Sequence, residues 1–317
     1  VLSGDGIGPE VTNEAVKVIG VISKKFDHKI NISEGLTGAI AIDKKGNPYP
    51  DETHQICEKS DAVLFGAIGD PKYDNDPSAK VRPEQGLLEM RKKLGLYANL
   101  RPTIVFESLI NNSPLKKDRI QNTDLIFVRE LTGGIYFGKR GRKDNGNFAY
   151  DTCEYNRYEV ERIAQLGFEM ALKRKRKLCC VDKANVLESS RLWRETVQNM
   201  ESRFPDVKVS YEFVDAVAMR LIQWPSEYDV LVTSNLFGDI LTDEASVISG
   251  SMGLMPSASI GAKNALYEPI HGSYPQAAGK NIANPVGSIL SLAMMFEHSF
   301  NLEKESNIIK QAVENSL

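Results

Sequence analysis

Three aspartates stand out, Asp215 alone and then Asp239 and Asp243, and the last two have the residue type and spacing to bind a hard divalent cation. Asp239 and Asp243 lie within Thr233-Ser-Asn-Leu-Phe-Gly-Asp-Ile-Leu-Thr-Asp243. Asp229–Thr233 reads as a buried strand, Asn235 and Gly238 break it, and Ile240, Leu241 and Ala245 restart a helical pattern. Residues four apart on a helix share a face, with Cβ atoms about 5–6 Å apart. Two carboxylates that close repel unless a cation lies between them, and oxygen ligands of this kind suit Mg²⁺ or Mn²⁺. The simpler alternative is a pair of acids favoured by the dipole of a helix N-terminus.

Other chemistry-bearing side chains fall elsewhere along the chain. Arg91, Arg101 and Arg129 could clamp a polyanionic small acid, since the guanidinium fork suits carboxylates. Arg129 directly follows an apolar run, where a charge needs a partner. Lys183 follows the apolar run Leu178–Val181 and is either a proton shuttle or a structural partner of Asp182. Tyr136 sits among glycines that let backbone and ligand come close. The glycines of Gly4-Asp-Gly-Ile-Gly8-Pro9-Glu10 permit a tight turn into a helix whose free N–H groups suit an anion, but Pro9 departs from the dinucleotide fingerprint. Glu268-Pro-Ile-His271-Gly-Ser273 and Ala283-Asn284-Pro285 read as turns. His271 has no second histidine at zinc-ligand spacing and could lie against an adenine ring.

The elements that position these groups alternate between short apolar strands and amphipathic helices, which implies an α/β fold with covered sheets. Strands are expected at 62–67, 125–129, 177–181, 207–213 and 228–233. Helices are expected at 10–22, 86–94, 158–173, 189–202, 216–223, 285–297 and 303–314. Residues 138–151 are polar and turn-rich, a projecting hairpin or a mobile loop. With 317 residues, two domains are expected. A net charge of −3 gives no support for nucleic-acid or acidic-membrane binding, and Lys173–Lys177 reads as a solvated helix end. The four cysteines, without a Cys-x-x-Cys, point to buried thiols in a reducing, cytoplasmic setting. The opening Val1-Leu2-Ser3, without Met, reads as the end of a strand whose start is missing.

Together these segments resemble the metal-dependent β-decarboxylating dehydrogenases, the isocitrate/isopropylmalate dehydrogenase family. The resemblance is carried in order by Gly4–Glu10, Glu84-Gln-Gly-Leu-Leu-Glu-Met-Arg91, Arg101, Val128-Arg-Glu-Leu-Thr-Gly-Gly-Ile-Tyr-Phe-Gly138, Asp182-Lys-Ala-Asn-Val186, Asn235–Asp243 and Glu268–Ser273. It implies that family's two-domain fold rather than a conventional Rossmann fold, with residues 1–96 plus 250–317 as the cofactor-side domain. Residues 97–249 would carry dimerisation and the metal site, with 138–151 as an intersubunit arm. Glu84, Leu87, Leu88 and Val186 would form an apolar pocket for the isopropyl group of 3-isopropylmalate, and Arg91, Arg101 and Arg129 would hold its carboxylates.

By the same resemblance Asp239 and Asp243, with Asp215 from a second subunit, bind Mg²⁺ or Mn²⁺. Lys183, also from that subunit, removes the hydroxyl proton, and Tyr136 returns one to the product. Glu268, His271, Gly272, Ser273, Gln276 and Asn284 would hold NAD. The implied activity is NAD-dependent oxidative decarboxylation in leucine biosynthesis by a homodimer. The branch usually has Asp where this chain has Gln276, which weakens the expected bias against NADP, and Leu317 falls short of the family's usual C-terminal helix and strand. The competing readings are a sister enzyme for tartrate, malate or homoisocitrate, a silent regulatory subunit, and a Mg²⁺ phosphotransferase or hydrolase.

Overall fold

The computed structural model describes residues 1–75 and 79–317. Its strands in chain order are β1 (Leu2–Gly4), β2 (Val63–Ala67), β3 (Leu96–Ile104), β4 (Asp124–Glu130), β5 (Arg140–Lys143) and β6 (Phe148–Asp151). β7 (Lys177–Asp182), β8 (Lys208–Phe213), β9 (Val230–Thr233), β10 (Pro256–Gly261) and β11 (Ala265–Pro269) follow. The helices are α1 (Gly8–Phe26), α2 (Ala39–Lys45), α3 (Asp51–Lys59), α4 (Pro71–Asp74), α5 (Pro83–Lys93) and α6 (Lys117–Ile120). The rest are α7 (Arg157–Leu172), α8 (Glu188–Met200), α9 (Val214–Gln223), α10 (Asn235–Ile248), α11 (Val286–His298) and α12 (Glu303–Ser316). The alternation read from the sequence is thus an α/β fold. Among the described residues no helix is long and apolar enough to cross a membrane.

The chain divides into one unit of Val1–Leu96 with Ser251–Leu317 and another of Tyr97–Gly250. In the first unit the strand order is β1-β2-β11-β10, parallel except for the β10–β11 pair. Leu2, Phe65, Met90, Leu96 and Leu266 are buried in its core. The register Gly4↔Ala67 brings Asp5 and the residues after Ala67 to the carboxyl edge of this sheet. In the second unit the order is β3-β4-β9-β7-β8, with only β3 antiparallel to its neighbour. Phe127, Val181, Leu221, Leu231 and Leu241 pack in its core. Here the registers Arg129↔Thr233, Val181↔Thr233 and Asp182↔Phe213 align the carboxyl ends of four parallel strands. Arg129, Asn235, Lys183 and Asp215 therefore sit along one edge, where α/β sheets usually bind ligands.

Several sequence expectations change. β3, β10 and β11 have no counterpart in the apolar pattern, because buried Asn99, Arg101, Ser257 and Ser259 interrupt it. Glu268 and Pro269, expected in a turn, end β11. Asn235 and Gly238 do not separate strand from helix; both lie within α10. Arg174 is no solvated helix end. It bonds Asp124 and the buried Asp229 at 2.8 Å each, and Asp229 also accepts the backbone N–H of Lys175. Residues 138–151 do form a hairpin, β5–β6, with exposed strands and left-handed turn residues Asp144, Asn145 and Gly146.

Candidate active site

On the second unit's edge, α10 carries Asp239 and Asp243 one turn apart, and the cations facing them come from β3 and β4. Arg129 is 2% exposed. Its Nε and Nη2 donate to Asn235 Oδ1 at 3.1 and 2.8 Å, and its Nη1 donates to Asp239. Arg101, also buried, donates to Asn99 Oδ1 and Thr242 Oγ1 at 2.6 Å each. Its Nη1 lies 3.8 Å from Asp239 and 3.5 Å from Asp243. Two arginines thus answer the repulsion between the two acids. Burial pushes the Asp243 carboxyl up against the pull of Arg101, and Asp239 adds to the push.

Tyr136 donates to Asp239 Oδ2 at 2.8 Å. Burial and that carboxylate push its phenol up to about 12, so it keeps its proton throughout the neutral range. The glycines beside it have a different role from the one expected of them. A Cβ on Gly133 would come 2.6 Å from Tyr155 Cε1, and one on Gly134 would come 2.5 Å from the Tyr155 hydroxyl. They make room for a neighbouring ring, not for a ligand. Gly238 likewise leaves space inside α10 for the Arg129 stem, whose Cγ would lie 2.6 Å from an added Cβ.

Lys183 lies 2.5 Å from Asp215, whose carboxyl it holds below the usual range. Asp182 is taken instead by Arg194 at 2.8 and 2.9 Å, which removes the alternative Asp182–Lys183 pairing. Val186 is exposed nearby in the chain, on the loop after β7. Among the described residues no three acid, histidine or cysteine side chains gather as a metal site. The chain's own fold therefore brings together two carboxylates, Asp239 and Asp243. That suffices for Mg²⁺ or Mn²⁺, which take one or two protein carboxylates and fill the remaining positions with water and substrate.

In the first unit α5 carries Glu84, Leu87, Leu88 and Arg91 at three- and four-residue spacing. Arg91 donates to Glu268 at 3.1 Å, while its buried Nε has no partner among the described residues and is a donor that an anionic ligand could use. Leu87 is half-buried against the core, with Leu88 half-buried beside it. A Cβ on Gly69 would lie 3.1 Å from Glu84 Oε1 and 3.4 Å from Ser273 Oγ, so Glu84 and Ser273 both approach Gly69. Gly4, Gly6 and Gly8 do not cradle an anion. A Cβ on them would strike Ala67 O, Ser273 O and Ser3 O at 1.9, 2.0 and 2.1 Å. Asp5 accepts the N–H groups of Ala39, Ile40 and Gly69, and Ser273 O accepts that of Ile7. The motif is a clasp that sets the loop bearing His271, Gly272 and Ser273.

His271 Nε2 is buried without a partner, and burial holds the ring below its ordinary pKa. A Cβ on Gly272 would meet nothing, leaving the loop open to a ligand, and Gln276 is exposed just beyond it. An orphaned imidazole nitrogen beside an open backbone fits a nucleotide. Asn284 caps α11 through the Val286 N–H at 3.0 Å. Glu130, Asn235 and Thr242 lie within the motifs quoted above without a role of their own there, and Asn99 and Tyr155 lie outside those motifs. The available signal was a polar position in an otherwise apolar strand, for Asn99 on β3 and Glu130 on β4.

A model of the family described as isocitrate/isopropylmalate dehydrogenase matches residues 1–317. The 3-isopropylmalate dehydrogenase of Bacteroides fragilis (strain YCH46) is 56% identical over 317 residues, covering 100% of this chain and 89% of that relative. The 3-isopropylmalate dehydrogenase of Aquifex aeolicus (strain VF5) is 52% identical over 320 residues, covering 100% and 88%. Among solved structures, an isocitrate dehydrogenase from Methylococcus capsulatus matches with a TM-score of 0.88 at 33% identity, over 99% of this chain and 88% of that one. A β-decarboxylating dehydrogenase from Thermococcus kodakarensis matches with a TM-score of 0.80 at 35% identity, over 99% and 86%.

Proposed function

The chain belongs to the isocitrate/isopropylmalate dehydrogenase family, and on that premise we propose that it oxidatively decarboxylates (2R,3S)-3-isopropylmalate to 4-methyl-2-oxopentanoate and CO₂, reducing NAD, in leucine biosynthesis. The observation that carries this reading is the Tyr136–Asp239–Arg129 cluster. The Tyr136 hydroxyl and the Arg129 guanidinium meet on Asp239 of α10, which supports reading them as proton donor, carboxylate clamp and cation ligand.

Arg101 and Arg129 hold the malate carboxylates, and Arg91 offers its unpartnered Nε to the same substrate. Leu87 and Leu88 exclude a charged 3-substituent, since burying an unpaired carboxylate beside them costs several kcal/mol. Lys183 takes the proton of the C2 hydroxyl, and Tyr136 returns a proton to carbon after CO₂ leaves. Bound NAD supplies the hydride acceptor, and a divalent cation held by Asp239 and Asp243 supplies Lewis acidity. His271, Gly272 and Ser273 support the nucleotide. Gln276 carries no charge to repel a 2′-phosphate, so the preference for NAD over NADP is weak.

Asp215 and Lys183 act on the site of a second copy, which makes the protein a homodimer. Two features support this: the absence of a third acid beside Asp239 and Asp243 among the described residues, and the exposed Met219, Ile222 and Trp224 of the α9 segment with Ile240 and Val247 of α10. The test is nicotinamide reduction with Mn²⁺ and 3-isopropylmalate, malate, isocitrate or tartrate, each with NAD and NADP. Turnover of 3-isopropylmalate far above the others is expected. Preference for a tricarboxylate would refute the apolar pocket.

A further inference from the structure

The helix that carries Asp239 and Asp243 begins at Asn235, and the side chain of its N-cap residue Ser234 caps nothing. The first N–H of α10 is satisfied from elsewhere: Asn235 N donates to the Tyr155 hydroxyl at 2.9 Å. Tyr155 comes from the segment between β6 and α7. Its ring lies over Gly133 and Gly134, the two residues that leave room for it. It is held edge-on by Trp193, with centroids 5.5 Å apart and planes at 85°.

Burial, together with the nearby Glu130 carboxylate, keeps the Tyr155 phenol un-ionised. Glu130 is wholly buried at the end of β4. It accepts the N–H and hydroxyl of Thr132 and the N–H of Gly133, all at 2.8 Å. The circuit closes through Asn235 Nδ2, which donates to Gly133 O at 3.2 Å. Tyr155 thus packs its ring on the turn that leads to Tyr136 and holds, with its hydroxyl, the first residue of the helix that bears Asp239. Tyr136 and Asp239 meet three residues further along the first path and four along the second.

We propose that Tyr155 is a positioning residue that sets Tyr136 against Asp239 for proton return to the product. The inference rests on the reading of Tyr136 as the proton donor. A side chain packed on one backbone segment and hydrogen-bonded to another fixes their separation more tightly than packing alone, and a misplacement of about 1 Å at a reacting group costs up to about a hundredfold in rate.

The test is a double-mutant cycle in the full-length enzyme with its metal and NAD, using Tyr155→Phe, Tyr136→Phe and the pair. Tyr155→Phe keeps the ring over the glycines and removes only the hydroxyl that accepts the Asn235 N–H. It is expected to lower kcat about ten- to a hundredfold, with the substrate KM and the melting temperature little changed. In the Tyr136→Phe background the same change should have almost no further effect, because residues acting through one another are not additive. Multiplying losses, or an unchanged kcat for Tyr155→Phe while Tyr136→Phe is impaired, would overturn the positioning role alone. Full kcat in Tyr136→Phe would remove the proton-donor reading and this inference with it. Trp193→Phe loosens the edge-on hold on Tyr155 with the phenol intact, and should show the same dependence on Tyr136 if Tyr155→Phe proves unstable.

Discussion

Replacing a helical glycine by alanine ordinarily stabilises a protein by roughly 0.5–1 kcal/mol. At Gly238 the structure requires the opposite. The new Cβ would lie 2.6 Å from Arg129 Cγ, 2.9 Å from its Cβ and 3.1 Å from its Cδ. These are the atoms nearest the β4 backbone, so the stem cannot swing aside as a flexible tip could. Either α10 moves or the guanidinium leaves Asn235 and Asp239. Overpacking costs about 1–3 kcal/mol, and each charged hydrogen bond lost costs roughly 1.5–3 kcal/mol more. Set against the helix gain, overpacking with one such bond lost should make Gly238→Ala less stable by about 1.5–5.5 kcal/mol. Because Arg129 shifts with it, kcat/KM should fall by about a hundredfold. Gly20→Ala in α1 is the control, since a Cβ there meets nothing within 4 Å. Calorimetry and steady-state kinetics on both variants decide the matter. A Gly238→Ala enzyme as stable and active as Gly20→Ala would show that the Arg129 stem does not set the helix position.

Three further outcomes follow from the site. Leu88→Ala should lower kcat/KM for 3-isopropylmalate by roughly 10- to 200-fold while leaving malate turnover nearly unchanged; equal losses on both substrates would remove Leu88 from the pocket. Chelation should abolish activity, and excess Mn²⁺ should raise the melting temperature, a hundredfold excess over the dissociation constant being worth about 2.7 kcal/mol. Asp243→Asn should lose that gain, and a full metal-induced shift in the variant would place the cation elsewhere. Burial depresses His271 below its ordinary 6.5, so the folded chain binds this proton less readily than the unfolded one, and the resulting stability loss sets in as pH falls below about 6.5. His271→Asn should therefore shrink the difference in melting temperature between pH 8 and pH 5; an unchanged difference would mean that the ring charges freely when folded.

The α/β class was legible in the sequence because parallel strands buried on both faces read as apolar runs, as in Leu125–Val128, Leu178–Val181 and Val230–Val232. The acids at Asp239 and Asp243 were legible too, since four-residue spacing on a helix fixes a shared face whatever surrounds it. Strands with buried polar residues were not. Asn99 and Arg101 on β3, and Ser257 and Ser259 on β10, look like surface positions until their partners are known.

What only the tertiary structure decided is which groups satisfy one another. Lys183 stands beside Asp182 in sequence, yet strand register turns Asp182 to Arg194 and brings Asp215 to the lysine. The glycines of Gly4–Gly8, Gly133–Gly134 and Gly238 mark close approach in the sequence. Whether a ligand or the protein itself comes close depends on contacts from segments far along the chain: Ser273, Tyr155 and Arg129 occupy those spaces. Spacing along a chain determines what a helix or strand presents on one face. Pairing across elements depends on register and on the crossing of side chains, and those are properties of the packed fold.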